Sequence, residues 1–181
     1  MALATKVLPY GLRDVQLRAI SAAGVVSTTS IDLPVARTLK FSETEDFEEL
    51  RGDDKVEASH GAGPIVEWDL EGGGISFEAY ALLAGGTVTS SGVTPAAKKT
   101  YSKLVTNARP YVQIEGQAIS DNGGDMHGVI YRAKADGALE GTMGDGTFWL
   151  TSASGKGYGD SSDKLYDFVQ NETAIAIVTG P

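Results

Sequence analysis

The feature that most constrains this sequence is an acidic stretch between two segments of strand-like alternation. Residues 43–57 hold eight acidic and two basic side chains. Polar side chains recur at alternate positions of 37–42, and acidic residues alternate with valine, tryptophan and leucine over 65–71. Because the side chains of a strand point alternately to two faces, each segment predicts a strand with one wet and one buried face. The stretch between them, about 43–63, predicts a long, solvated hairpin loop rather than a reactive pocket.

The charge balance narrows the range of functions. The 181 residues carry a net charge of −9, and tight binding of nucleic acid needs a basic surface. An acidic wall past which nucleic acid can move remains compatible with this charge. The absence of cysteine excludes disulfides, thiolate metal sites and a thiol nucleophile. No apolar run approaches the ~20 residues that span a bilayer, and no signal-peptide core is present, so we expect folding in a cytoplasm.

One helix is predicted in a chain otherwise patterned for strands. Apolar side chains recur at helical spacing from Phe77 through Tyr80 and Ala81 to Ala84, which places them on one face of a helix. Ser76 can cap the first turn, and the two glycines that follow Ala84 can end the helix. We therefore expect a helix over about Ser76–Ala84.

The remaining pattern predicts strands, turns and terminal arms. Residues 1–34 are expected to form an N-terminal arm with one or two short strands, and residues 165–181 a C-terminal strand or arm. Tight turns near 121–124 and 144–146 predict two hairpins. The stretch Gly155–Ser162, with its spaced glycines, predicts a loop.

Four of the predicted strands carry a polar face. Sheets with open edges invite pairing with other chains, and closing several such sheets into a ring would enclose a polar channel. The fold class that follows is mainly β: a two-sheet sandwich or barrel with one flanking helix, in a single domain over 1–181. The side chains on the polar faces are Thr38, Lys40, Ser42, Glu67, Asp69, Glu71, Gln113, Glu115, Gln117, Arg132 and Lys134.

No residue pattern predicts catalysis, a metal site or a cofactor. His60 and His127 are not in ligand spacing with each other, and the turn at Asp121–Asp125 lacks the pattern of a calcium loop. The glycines of Gly155–Gly159 lack the spacing of a phosphate-binding loop. Ordinary sheet, turn and loop residues explain all of them better, so we predict that the protein is not an enzyme.

Several short stretches, spread over most of the chain, carry a family resemblance. They are Leu39–Glu43, Phe47–Lys55, Gly63–Pro64, Glu67–Glu71, Gly73–Ser76, Ala108–Tyr111, Glu115–Asp121 and Tyr166–Glu172. On these stretches the chain resembles the major tail protein, or tail tube protein, of long-tailed bacteriophages, especially siphophages of actinobacteria. The similarity runs from Met1 to Thr173 and lies in the order of the stretches.

The resemblance implies a structural virion protein that assembles as stacked hexameric rings into the phage tail tube, a conduit for DNA ejection. It implies the phage tail tube fold, a β-sandwich with one flanking helix. Four strands of each subunit would line the bore, at 38–42, 65–71, 111–119 and 127–134. The side chains of the polar faces named above are then the candidates for lining it.

The resemblance also implies how copies meet. The loop of about 43–63 would reach the adjacent ring, and the terminal arms would contact neighbouring subunits. The candidate inter-ring residues are Glu45, Asp46, Glu48, Glu49, Arg51, Asp53, Asp54 and Lys55. Lys98, Lys99 and Lys103 are suggested partners for these acids.

The resemblance further implies partners and a location. The tape measure protein and phage DNA would occupy the bore without specific binding, and tail tip and tail terminator proteins would close the tube. No membrane is involved. The protein would be assembled in the host cytoplasm and end in the virion tail.

Two alternatives stay open at this point. One is a monomeric β-sandwich module that binds a carbohydrate or protein ligand. The other is the tube protein of a contractile injection system, which shares the fold. Self-association separates the first alternative from a tube protein, and a neighbouring sheath gene would indicate the second.

Overall fold

The computed structural model describes residues 6–33, 35–74, 76–141 and 144–177, which are mainly β with one helix, as predicted. Residues 1–5 and 178–181 of the predicted terminal arms lie outside the described residues. The elements are β1 Pro9–Ile20, β2 Val26–Asp32, β3 Ala36–Thr44, β4 Phe47–Gly52, β5 Lys55–Gly61, β6 Ile65–Gly73, α1 Phe77–Ala84, β7 Thr87–Ser91, β8 Lys98–Ser102, β9 Val112–Ser120, β10 Asp125–Glu140, β11 Leu150–Tyr158 and β12 Tyr166–Asn171.

Eight strands form one large antiparallel sheet. Its order is β2–β1–β9–β10–β11–β6–β3, and β12 pairs with β10 beside this path. The first part of β10 pairs with β12, and its later part, from Arg132 to Glu140, pairs with β11. Strands that are distant in this order touch: Phe41 of β3 meets Phe168 of β12 edge-on, with 5.4 Å between the ring centroids. The sheet therefore curls into two layers around a shared core.

The core lies on the inner face of this curled sheet. Its fully buried side chains include Leu17 of β1, Trp68 of β6, Ile114 of β9 and Ile130 of β10. Strict alternation in β6, where buried and wetter positions follow one another, explains why the sequence pattern located this strand.

Two paired glycines let the layers approach closely. Gly116 of β9 and Gly128 of β10 are direct partners in the ladder. A Cβ atom on Gly116 would lie 2.5 Å from Cδ2 of Leu39, and one on Gly128 would lie 2.9 Å from Cζ of Phe41. The missing side chains leave the space that these two β3 side chains occupy.

The glycines near residue 155 are part of a strand, so the predicted loop over 155–162 is wrong for 155–158, and the chain leaves the strand only at Gly159. Residues 155–158 belong to β11, which pairs with β6 on one side and β10 on the other. A Cβ on Gly155 would approach Trp68, and one on Gly157 would lie 2.6 Å from Cγ2 of Ile130. Glycine occurs here because large core side chains cover the strand, and not because the chain turns.

The N-terminal region is more ordered than a predicted arm with short strands. Strand β1 has twelve residues and lies between β2 and β9, inside the large sheet. Val15 and Leu17 are completely buried in the core. The described part of the first 33 residues is thus part of the sandwich itself.

The helix forms where it was predicted. The Ser76 hydroxyl accepts a hydrogen bond from the Ala79 N–H at 3.3 Å, and Gly85 ends the helix. Ala79, Leu83 and Ala84 are buried, whereas Phe77, Tyr80 and Ala81 of the predicted apolar face are partly buried. Tyr80 packs edge-on against a tyrosine of the β7–β8 hairpin.

Candidate functional site

The predicted acidic loop forms a two-stranded hairpin that is separate from the large sheet. Strands β4 and β5 pair only with each other, from Phe47 opposite Gly61 to Gly52 opposite Lys55. The two turn residues, Asp53 and Asp54, have φ angles of 49° and 64°. Positive φ at both central residues matches the twist of a two-residue hairpin, and aspartate tolerates it better than most residues.

The hairpin carries acidic charge that its own bases do not neutralise. Arg51 pairs with Glu49 at 2.7 Å, and Lys55 pairs with Glu57 at 3.0 Å. In the described part of the chain, Glu48, Asp53 and Asp54 have no basic side chain within ion-pair distance. The two exposed ion pairs, Arg51–Glu49 and Lys55–Glu57, contribute only ~0–1 kcal/mol each to stability. The hairpin thus presents a net negative surface.

The same hairpin exposes apolar side chains. Phe47 is 62% exposed, Leu50 67% and Val56 47%. A two-stranded hairpin alone is marginally stable in water. Apolar side chains that project on such an element mark a surface that another chain can cover.

The outer face of β3 and β6 is wet, as predicted. Thr38, Lys40, Glu67 and Asp69 are exposed, and Lys40 lies opposite Asp69 in the ladder. Glu71 accepts an ion pair from the Arg37 guanidinium at 2.9 Å. Ser42 and Glu71 are partly exposed on the same face. Two of the four predicted polar strands therefore form one continuous wet surface that carries three acids and two bases.

The sequence pattern located only the start of β11, after the turn near 144–146, and the strand runs on to Tyr158 and extends this surface. Strand β11 lies between β6 and β10, and its register places Ser152, Ser154 and Lys156 beside the acids of β6. The alternation of serine and lysine with small residues is a signal for this strand. The glycines in it hid that signal.

The two basic candidates of β10 share one aromatic ring. The Arg132 guanidinium lies 4.1 Å and the Lys134 Nζ 5.0 Å from the centroid of Tyr111. Such cation–π contacts fix the direction of both side chains on the outer face. Lys134 lies opposite Lys156 of β11 in the ladder, with Arg132 two residues away, so the basic side chains are grouped at one end of the surface.

The polar face of β9 is not wet, which corrects the prediction for three lining candidates. Gln113 is 8% and Gln117 4% exposed, and the Glu115 side chain is 13% exposed. The C-terminal residues 174–177 pass over this face, where Gln117 Nε2 donates to the carbonyl of Ile175 at 2.8 Å. Burial of this face depends on a segment that lies 58 residues further along the chain, which local alternation cannot reveal.

A buried charged cluster lies under this C-terminal segment. His127 Nδ1 is 3.1 Å from Glu115 Oε1, and His127 Nε2 is 3.0 Å from Asp125 Oδ2. The Arg18 guanidinium donates to Glu115 at 2.9 Å. Asp125 is completely buried. Sequence reasoning treated His127 as an ordinary sheet histidine, and only the fold brings these groups together.

The cluster shifts the pKa of both central groups. Burial opposes the protonated form of His127, but hydrogen bonds to Glu115 and Asp125 outweigh it and raise the pKa of the imidazole. Burial likewise would raise the pKa of Asp125, yet hydrogen bonds from Gln117, the Ile175 N–H, Asn171 and His127 lower it. We conclude that the charged forms of both side chains are favoured in the folded chain.

Two of the three suggested basic partners of the hairpin, Lys99 and Lys103, are engaged within the chain. Lys99 Nζ pairs with Glu78 at 2.6 Å. Lys103 Nζ donates to the carbonyls of Ala84 and Asn107. Neither ammonium group is therefore available without breaking an existing contact.

The described residues hold no arrangement suited to metal binding. Among them, no group of three or more histidines and acids is positioned to hold an ion. The described helix is too short to cross a membrane.

A groove of about 480 Å³ is lined by Val35, Phe148 and Trp149, and Arg37 is the charged side chain among its described lining residues.

Comparison with protein-family models and with curated proteins finds no match for this chain.

Proposed function

We propose that this chain is a structural subunit that polymerises, as stacked hexameric rings, into a phage tail tube for DNA ejection. The observation that carries the proposal is the projecting β4–β5 hairpin, which exposes both acidic and apolar side chains beside a wet sheet face. Apolar side chains exposed on a marginally stable hairpin favour aggregation in a chain that stays monomeric. A second ring that contacts this hairpin would cover them.

The outer face of β3 and β6 supports a role as a bore lining. Glu67, Asp69 and Glu71 lie on this wet face, where Arg37 pairs with Glu71, and Lys40 and Lys156 lie opposite Asp69 and Glu67, so its charges are close to balanced. Carboxylates that face DNA across water discourage adhesion, and the repulsion acts over about 8 Å at physiological salt. The lining we propose comprises β3, β6 and β11, with the basic group of β10 at one end.

The sheet also supplies edges for side-by-side closure. Strands β2 and β3 end the large sheet, so each has one edge without a partner strand in the described chain. Pairing of such edges between copies, by a rotation that closes, makes a ring. The tape measure protein and DNA then occupy the bore, and tail tip and tail terminator proteins close the ends.

Charge reversal in the hairpin tests this proposal. Glu48→Lys combined with Glu49→Lys should abolish assembly, measured by sedimentation velocity, and leave the melting temperature of the monomer unchanged. The matched control changes the net charge equally at two exposed turn residues, Asp121→Lys with Asp145→Lys, and should assemble. A wild-type chain that stays monomeric at high concentration, or a hairpin variant that assembles normally, would overturn the proposal.

A further inference from the structure

The C-terminal segment 174–177 is held mainly through its backbone. The Ile175 N–H donates to Asp125 Oδ2 at 2.9 Å. The Ile175 carbonyl accepts from Gln117 Nε2 at 2.8 Å and lies 3.0 Å from His127 Nε2. Its side chain is 48% exposed, while the Ile177 side chain is 5% exposed. The face of β9 and β10 is thus shaped to bind an extended peptide by its main chain, with one apolar anchor.

The groups that grip this peptide are charged and buried, which is unusual for the outer face of a sheet. Two carboxylates, Glu115 and Asp125, face two cations, Arg18 and a protonated His127. In that state both ring nitrogens of His127 donate, and each charge has an opposite partner. Loss of the proton turns one ring nitrogen into an acceptor that faces an oxygen, and leaves an uncompensated buried negative charge.

We propose that the outer face of β9 and β10 is a binding site for an extended peptide, that the chain's own residues 174–177 fill it, and that the proton on His127 controls how tightly it holds. Segment 174–177 is bound most tightly when Asp125 is ionised and His127 is protonated. Its binding weakens as the pH rises and His127 becomes neutral. Release would expose the polar face of β9 to solvent.

The other charged groups on the surrounding elements do not replace the proton of His127 in holding the segment. On the same face, β1 carries Asp14, β2 carries Asp32, and β12 carries Asp167, which accepts a hydrogen bond from Tyr131 at 2.5 Å. Lys164 pairs with Asp167 at 3.4 Å, whereas Asp14 and Asp32 would add to the negative charge left by a neutral His127. Because the pKa of His127 is raised in the folded chain, the stabilisation that its proton gives to the bound segment is fully present below the ordinary pKa of 6.5. That stabilisation is lost as the pH rises through the pKa of His127 in the folded chain.

Amide hydrogen exchange on the full chain tests the inference. Between pH 6 and pH 9, the protection factor of the Ile175 amide, corrected for intrinsic exchange, should fall, while the amides of β9 stay protected. His127→Gln should lower this protection at pH 6 by at least about tenfold, as expected for loss of charge-assisted hydrogen bonds, and remove its dependence on pH. Asp125→Asn should lower it at pH 7. His60→Gln, in the exposed β5 strand, is the matched control and should behave as wild type.

Two results would overturn the inference. One is a protection factor at Ile175 that stays constant from pH 6 to pH 9 in the wild-type chain. The other is an equal loss of protection at β9 and Ile175, which would mean that the cluster stabilises the whole fold and not the segment. Neither result depends on whether copies of the chain assemble, so the proposed tube is tested separately.

Discussion

Leu50→Ala should weaken assembly without weakening the folded monomer. Leu50 lies in β4 of the projecting hairpin and is 67% exposed. Complete burial of a leucine side chain is worth about 1.5–3 kcal/mol, so covering the exposed two thirds in a neighbouring ring would add about 1–2 kcal/mol per copy. Because 1.4 kcal/mol is a factor of ten, the critical concentration for tube growth should rise about 5- to 30-fold.

The assay is the concentration dependence of light scattering, combined with urea unfolding of the monomer. The unfolding free energy should change by no more than about 0.5 kcal/mol, since the side chain has few contacts to lose. Val25→Ala removes a valine of similar exposure, 65%, outside the hairpin and should leave the critical concentration unchanged. An unchanged critical concentration for Leu50→Ala, or a monomer destabilised by several kcal/mol, would refute the reasoning.

Three further predictions concern the folded monomer. Gly128→Val should destabilise it by about 1–3 kcal/mol in urea unfolding, because the new side chain would collide with Phe41. In melting curves taken through an acid series, the stability supplied by Asp125 should be complete above pH 3.8 and disappear as the pH falls through its lowered pKa, and Asp125→Asn should remove that step. Ser76→Ala should cost about 0.5–2 kcal/mol by loss of the hydrogen bond to the Ala79 amide, measured in urea.

Local patterns predicted those parts of the fold that depend on neighbours in sequence. The alternation around Trp68 located β6, and Ser76 with the glycines after Ala84 located the helix. These signals work because a strand repeats every two residues and a cap acts within one turn. The fold class and the wet face of β3 and β6 follow from them.

The features that the sequence did not reveal depend on distant contacts. Gly157 lies in a strand because Ile130 covers it, and no local signal distinguishes such a glycine from a turn residue. A shift of register in β10 between Ile130 and Ala133 places both side chains in the core, although strict alternation would separate them. Gln117 is covered by the C-terminal segment, whose return across β9 is a property of the whole fold.

The most direct test of the account is negative-stain electron microscopy of the purified chain at increasing concentration. If the chain assembles as proposed, the images should show hollow tubes built from stacked six-fold rings, or isolated six-fold rings with an open centre. Uniform, solitary particles of monomer size at every concentration would contradict it.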